Sequence, residues 1–344
     1  DCLKSFAKDS KLCFENAAKG PFETKNTDPS FPAFLGKTSA DSKGWSRPTT
    51  LADLTRAWSP EKTVISGHTG WGVYSEFCAL RPADGLDPSP VVQTDAVSEL
   101  CVIERKDNQL VIGASVKIND LAIELSKISG SVAKGLHDHI TLIAGHQVRN
   151  LGSVGGNLMM VKRKGFASDL ATLLTACAGT CVYLDAEKKS QTKPLAGFLS
   201  EGSDEPCLLL SISINLGTEA SGFVSFRSAI RPRNAYSLIN AALFYTVDSE
   251  KVVSDANIVI GAVGQYPLLA KALSSAFVGS TVDSLEEVVV KAINEGALDD
   301  VLSLFGDGEH KAYRTKVSQV YALRFAEALN GKDNLQIHAK GSRS

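Results

Sequence analysis

At 344 residues, with 44% hydrophobic and 22% charged residues, the chain has room for two domains and an ordinary globular composition, which excludes fibrous and disordered classes. Lys and Arg number 36 against 38 Asp and Glu, and the resulting net charge of −2 argues against nucleic acid or an anionic membrane as the main partner. Apolar runs stop well short of the ~18 residues a membrane span needs and the N-terminal stretch has no apolar signal core, so a cytoplasmic location is expected.

In chain order, residues 1–32 are polar with little periodicity and read as a surface linker. A helix follows at 50–56, with Leu51 and Leu54 on one face and Thr49 or Thr50 able to cap it. The apolar run 63–65, the glycine-rich turn Ser66-Gly-His-Thr-Gly-Trp-Gly72 and Val73-Tyr74 read as strand, loop, strand. Residues 100–103 and 109–116 form a hairpin about Lys106-Asp-Asn108. Asn119-Asp120 is expected to cap a helix at 121–128, and further helices fall at 137–143 and at 169–177, the latter apolar at 170, 173, 174 and 177. With strands at 180–184 and 207–214, the pattern is that of an α/β domain ending near Gly217. Beyond it, strands at 223–226 and 252–263 and helices at 235–247, 268–277, 285–293 and 313–329 predict an α+β second domain, and the residues from Gly331 onward read as a polar tail.

Seven scattered cysteines, an odd number in apolar surroundings, predict reduced buried thiols rather than a disulfide framework. Cys177 and Cys181 have no His or further Cys beside them, so no metal site is expected there, and no Ser-His-Asp constellation stands out. Chemistry is instead suggested by the stretch 144–158, Ala-Gly-His-Gln-Val-Arg-Asn-Leu-Gly-Ser-Val-Gly-Gly-Asn-Leu. Its glycines at 145, 152, 155 and 156 let backbone approach a ligand closely, while Gln147, Arg149, Asn150, Ser153 and Asn157 supply polar groups. Together with the turn at 66–72 it predicts one polar, phosphorylated ligand held from two sides. A strand followed by another strand does not fit the Rossmann fingerprint. Asp169, directly before Leu170, also suits the first turn of a helix.

SGHTGWGVY at 66–74 and AGHQVRNLGSVGGNL at 144–158, followed by Phe166-Ala-Ser-Asp169, resemble the flavin domain of the molybdenum hydroxylases, the xanthine dehydrogenase and aldehyde oxidase family. Cys2-Leu-Lys-Ser-Phe-Ala7 resembles the segment after the second iron-sulfur domain of eukaryotic members, and Ile260-Gly-Ala-Val-Gly-Gln-Tyr-Pro267 resembles their flavoprotein C-terminal domain. The resemblance implies the middle of a larger enzyme: a linker at 1–32, an FAD-binding domain of the two-subdomain vanillyl-alcohol oxidase (PCMH) type at 33–217, a small α+β domain like the CO dehydrogenase flavoprotein C-terminal domain at 218–330, and a polar linker or tail at 331–344.

It further implies FAD as cofactor, with Ser66, Gly67, His68, Thr69, Gly70, Trp71 and Gly72 cradling phosphates. Ile143, Ala144, Gly145, Ser153, Gly156 and Asn157 would line the diphosphate and ribityl chain, Ser168 and Asp169 would make polar contacts, and Leu210 and Arg227 would lie near the ring. Arg227 either stabilises negative charge on the reduced ring or is a solvated side chain on a strand. Arg149 is as readily a surface or domain-contact residue as a cofactor one, and Tyr313-Arg314 is expected to serve packing and a salt bridge. Two [2Fe–2S] clusters and molybdopterin would sit on iron-sulfur and molybdenum domains of the same enzyme, a homodimer, and electrons would pass through the clusters to FAD and on to oxygen while aldehydes are oxidised to carboxylic acids.

His68-Thr69-Gly70 differs from the Asn-Thr-Glu of xanthine dehydrogenases, and the long basic run 159–166 also resembles plant-type aldehyde oxidases. Alternatives are a xanthine dehydrogenase passing hydride to NAD, or a flavin-binding or cofactor-free module without turnover. Histidine-linked flavin on relatives of this fold makes His68 or His146 alternative covalent attachment points.

Overall fold

The computed structural model describes residues 44–74, 90–202, 204–305 and 310–331. The expected linker at 1–32, the tail after 331, Cys2, Cys13 and Cys78 lie outside the described residues.

A small parallel sheet of order β1-β3-β2 opens the fold, from β1 (Trp45–Ser46), β2 (Thr63–Ile65) and β3 (Val91–Gln93). Helix α1 (Leu51–Ala57) starts where Thr50 Oγ1 accepts from the Asp53 amide, as its sequence predicts, and buries Leu54 beside Trp58, Val92 and Leu100. After β2 the chain does not enter a second strand: residues 69–72 form a tight 3-10 turn, and Val73 and Tyr74 are irregular.

Next come β4 (Ile103–Lys106) and β5 (Gln109–Gly113), a hairpin turned at Asp107 with φ 54°. Five helices follow: α2 (Ile118–Ser126), α3 (Ser131–Ile140), α4 (His146–Leu151), α5 (Val154–Lys164) and α6 (Asp169–Ala176). Helix α2 begins two to three residues early, with Lys117 and not Asn119 at its cap, and α3 lies upstream of the expected 137–143. The glycine-rich stretch is two short helices joined at Gly152-Ser153 rather than a loop. Strands β6 (Thr180–Leu184) and β7 (Ser190–Pro194), helix α7 (Leu195–Ser200) and β8 (Leu208–Asn215) complete an antiparallel sheet of order β4-β5-β8-β6-β7.

The remaining chain forms an antiparallel sheet of order β12-β11-β10-β9 from β9 (Ser221–Ala229), β10 (Ser237–Val247), β11 (Val253–Gly261) and β12 (Leu268–Leu269). Helices α8 (Lys271–Phe277), α9 (Leu285–Asn294), α10 (Asp299–Leu302) and α11 (Lys311–Leu329) follow. The helix expected at 235–247 is β10. Its Ala242 and Phe244 pack into the core containing α6, while Ile239, Ala241 and Leu243 pack into a second core with α8, α9 and α11. A strand buried on both faces has no polar alternation, and a run of apolar residues without alternation mimics a buried helix.

Cys177, Cys181 and Cys207 are free buried thiols, and burial pushes Cys181 up to about 12; Cys101 is free but exposed. Among the described residues no helix is long and apolar enough to cross a membrane, and no cluster of three metal-ligating side chains occurs.

Candidate functional site

The two glycine-rich segments meet directly. A Cβ on Gly67 would lie 1.7 Å from the Leu151 carbonyl oxygen, so only glycine allows the first turn to press against the end of α4. A Cβ on Gly155 would lie 2.6 Å from the Ala114 carbonyl oxygen, so glycine also seats the start of α5 on the chain leaving β5. Beside this junction opens a cavity of about 790 Å³, within the ~300–1,000 Å³ usual for cofactor sites.

All of the expected residues 66–72 line it, as do Ile143, Ala144, Ser153, Gly156, Asn157, Ser168, Asp169 and Arg227. Gly145 and Leu210 do not. Gly145 begins α4 and faces Asn234, while Leu210 packs against the core around Leu54 and Trp58; Leu208, in that same core, and Leu209 reach the cavity wall instead. Arg149, Arg163, Phe166, Arg231, Asn234 and Tyr236 also line it. Asn234 and Tyr236 carry no sequence signal, because the pattern predicts a helix from 235 where the chain forms a loop and then β10. Phe166 stands edge-on to Tyr236 at 5.5 Å between centroids.

Backbone donors are divided unequally between the two segments. At the start of α5, Val154 N donates to Val116 O, Gly155 N to Ala114 O, Gly156 N to Ser153 Oγ and Asn157 N to Ser153 O. Those amides are spent. The amides of Gly67, Thr69 and Gly70 have no acceptor among the described residues, and the buried Ser66 hydroxyl has no partner. What 153–157 offers is side chains: the Ser153 hydroxyl hydrogen, and Asn157, whose Oδ1 accepts from Ser168 Oγ at 2.5 Å and thereby turns its amide NH₂ away from Ser168.

Asp169, 6% exposed, occupies the first turn of α6 as its sequence predicts. Its Oδ1 accepts from Ser237 Oγ (2.6 Å), His139 Nε2 (3.3 Å) and Arg227 Nε (3.4 Å). Burial alone would raise its carboxyl, but the hydrogen bond and charge of His139, the charge of Arg227 and the Ser237 hydroxyl together hold it below the usual carboxylate range. His139 Nδ1 is anchored on Ser225 Oγ at 2.8 Å. Arg227 is neither solvated nor free to meet a ring: its side chain is buried, and it also donates to the carbonyls of Leu142, Pro232 and Ala235. Arg314 donates to the backbone carbonyl of Leu238 rather than to a carboxylate, and Tyr313 bonds Ser228.

A flavin dinucleotide matches this donor set. Uncommitted amides and the orphaned Ser66 hydroxyl need acceptors, and a buried polar group left unpaired costs about 1–3 kcal/mol. Apolar and aromatic walls suit the ring systems.

Two family models match the chain: the FAD binding domain in molybdopterin dehydrogenase over residues 38–214, and the CO dehydrogenase flavoprotein C-terminal domain over residues 224–329. The chain belongs to this flavoprotein family. It is the FAD-binding portion of a molybdenum hydroxylase related to plant aldehyde oxidases. An indole-3-acetaldehyde oxidase of Zea mays is 29% identical over 96% of this chain and 26% of its own length. Probable aldehyde oxidase 2 of Oryza sativa subsp. japonica is 31% identical over 84% of this chain and 22% of its own. The chain thus spans about a quarter of the length of these curated relatives. Among solved structures, a chain of the Cu,Mo-CO dehydrogenase in its cyanide-inactivated form has the same fold, with a TM-score of 0.67, 19% identity, and coverage of 83% of this chain and 97% of that one. A chain of quinoline 2-oxidoreductase from Pseudomonas putida 86 gives a TM-score of 0.65 at 20% identity, covering 84% and 98%.

Proposed function

We propose that this flavoprotein portion is the electron outlet of an aldehyde oxidase-like molybdenum hydroxylase. Electrons taken from an aldehyde at a molybdenum site reach it through two [2Fe–2S] clusters carried on other domains, and they leave to oxygen. The chain divides into an FAD-binding domain at 33–217 and a C-terminal domain at 218–330. The observation that carries this reading is the set of uncommitted donors of Ser66, Gly67, Thr69 and Gly70, which line one cavity with Ser153 and Asn157. When bound, the flavin supplies the chemistry of accepting an electron pair and passing it on.

The amides of Gly67, Thr69 and Gly70 and the Ser66 hydroxyl bind phosphate oxygens. The hydroxyl of Ser153 and the amide of Asn157 orient the ribityl chain. Asp169, kept ionised by its three donors, accepts hydroxyl or amine hydrogens from the cofactor. Phe166 and Tyr236 cover the cavity and exclude water. His68 donates a hydrogen bond near the diphosphate and forms no covalent link.

The visible spectrum of the purified chain, before and after acid denaturation, tests the cofactor. A flavin spectrum that moves to the supernatant is expected; colour retained in the precipitate would implicate His68 or His146, and no flavin after FAD is added would sink the reading. Stopped-flow reoxidation of the reduced chain should be fast with oxygen and absent with NAD. The reverse result would make the portion that of a xanthine dehydrogenase.

A further inference from the structure

Among the described residues Arg149 is a buried cation without an anion. On α4, 7% exposed, it donates through Nη1 to the carbonyls of Ile143 (2.7 Å) and Ala144 (3.2 Å), while its buried Nε has no partner. Among the described residues no carboxylate is paired with it, and the charge that acts on it is another guanidinium, Arg233. The one carboxylate among the described residues of the cavity wall, Asp169, is already taken by His139 and Arg227. Arg163 and Arg231 line the same cavity but are exposed, so water can solvate them, whereas Arg149 is buried and meets the cavity only with the tip of its head. A charge held out of water needs a counter-charge or several good acceptors. Nor can the start of α5 meet an anion instead, because its first-turn amides are spent on protein acceptors.

We infer that Arg149 is the guanidinium that grips the diphosphate of the flavin dinucleotide, opposite the free amides of the first glycine turn. This rests on the FAD reading and assigns the cationic half of its phosphate site. Its two backbone bonds aim the head by tying it to Ala144, whose φ of 49° lies in the left-handed region.

The test uses the 344-residue chain stripped of flavin, with FAD, riboflavin and ADP titrated into wild type, Arg149→Met and Arg149→Lys. Arg149→Met should weaken FAD and ADP by about ten- to a hundredfold, the loss expected for a hydrogen bond to a charged group, and leave riboflavin, which has no phosphate, unchanged. Arg149→Lys should lose less and shift a ³¹P resonance of bound FAD. Unchanged FAD affinity in both variants, or riboflavin affinity falling by the same factor as FAD, would overturn the assignment and leave Arg149 a structural tie. If Arg149→Met does not fold, the lysine variant decides: unmoved ³¹P resonances overturn it. Should wild type bind no FAD, the flavin reading itself fails. Calorimetry with inorganic diphosphate then settles Arg149 separately, through heat that wild type gives and the lysine variant loses or through equal heats that reject the site.

Discussion

Asp169 holds a charge where burial opposes one, and three donors from distant parts of the chain make that possible. His139 lies 30 residues before it, and Arg227 and Ser237 lie 58 and 68 residues after it. Replacing it with Asn removes the charge while leaving Arg227 and His139 buried, so Asp169→Asn should cost about 3 kcal/mol in urea unfolding, the range for breaking a buried pair. The pH dependence has a definite sign. A carboxyl whose folded pKa lies below its unfolded value contributes fully above the unfolded value, near pH 4. The wild-type advantage over Asp169→Asn should therefore be flat from neutral pH down to about pH 4 and shrink as pH falls through the lower folded value. An advantage that grew on acidification would contradict the network. The helix-start position of Asp169 was legible in sequence, because Ser168 and Asp169 suit a cap and first turn. Its three donors were not, since nothing local links residues so far apart.

At the scale of elements, the glycines separate those that hold structure from those that do not. Gly67→Ala would drive a methyl group into the Leu151 carbonyl, a backbone atom that yields only if α4 moves. It should cost about 3 kcal/mol or more and abolish FAD retention on gel filtration. At Gly72 an added Cβ meets nothing within 4 Å and φ is ordinary, so Gly72→Ala should stay within about 0.5 kcal/mol of wild type. Equal effects of the two substitutions would mean that the glycine turns are spacers and not a fitted joint. The presence of two such turns was legible because glycine clusters are rare outside close approaches. Their form was not: 146–151 and 154–164 are helical, because Ala114, Val116 and Ser153 satisfy the amides at the start of the second helix. Strand β10 escaped for the reason that makes it central, since both of its faces are buried and the usual alternation is erased. With it went the loop carrying Asn234 and Tyr236, and so one wall of the cavity.

Considered whole, the molecule builds its cavity from both sides of residue 217. Arg227, Ile230, Arg231, Asn234, Ala235 and Tyr236 line it from the second half, and every residue of α6 is buried, with Phe223, Ala242, Phe244 and Val259 sharing its core. A cut after Gly217 would therefore expose an apolar face, strip the cavity of a wall and leave Asp169 without Arg227 and Ser237. The fragment 40–217 should bind FAD at least about a hundredfold more weakly than the full chain, the loss expected when charge-assisted contacts and a packed wall go together. Adding the fragment 218–331 should restore binding, because the lost contacts are non-covalent. Flavin fluorescence quenching measures both steps. Full affinity in the first fragment alone would show that the β10 side supplies no binding contact, and Asp169 would then have to keep its charge on His139 alone. Restoration on mixing would instead place half of the cofactor's grip in a part of the chain that carries no glycine-rich turn.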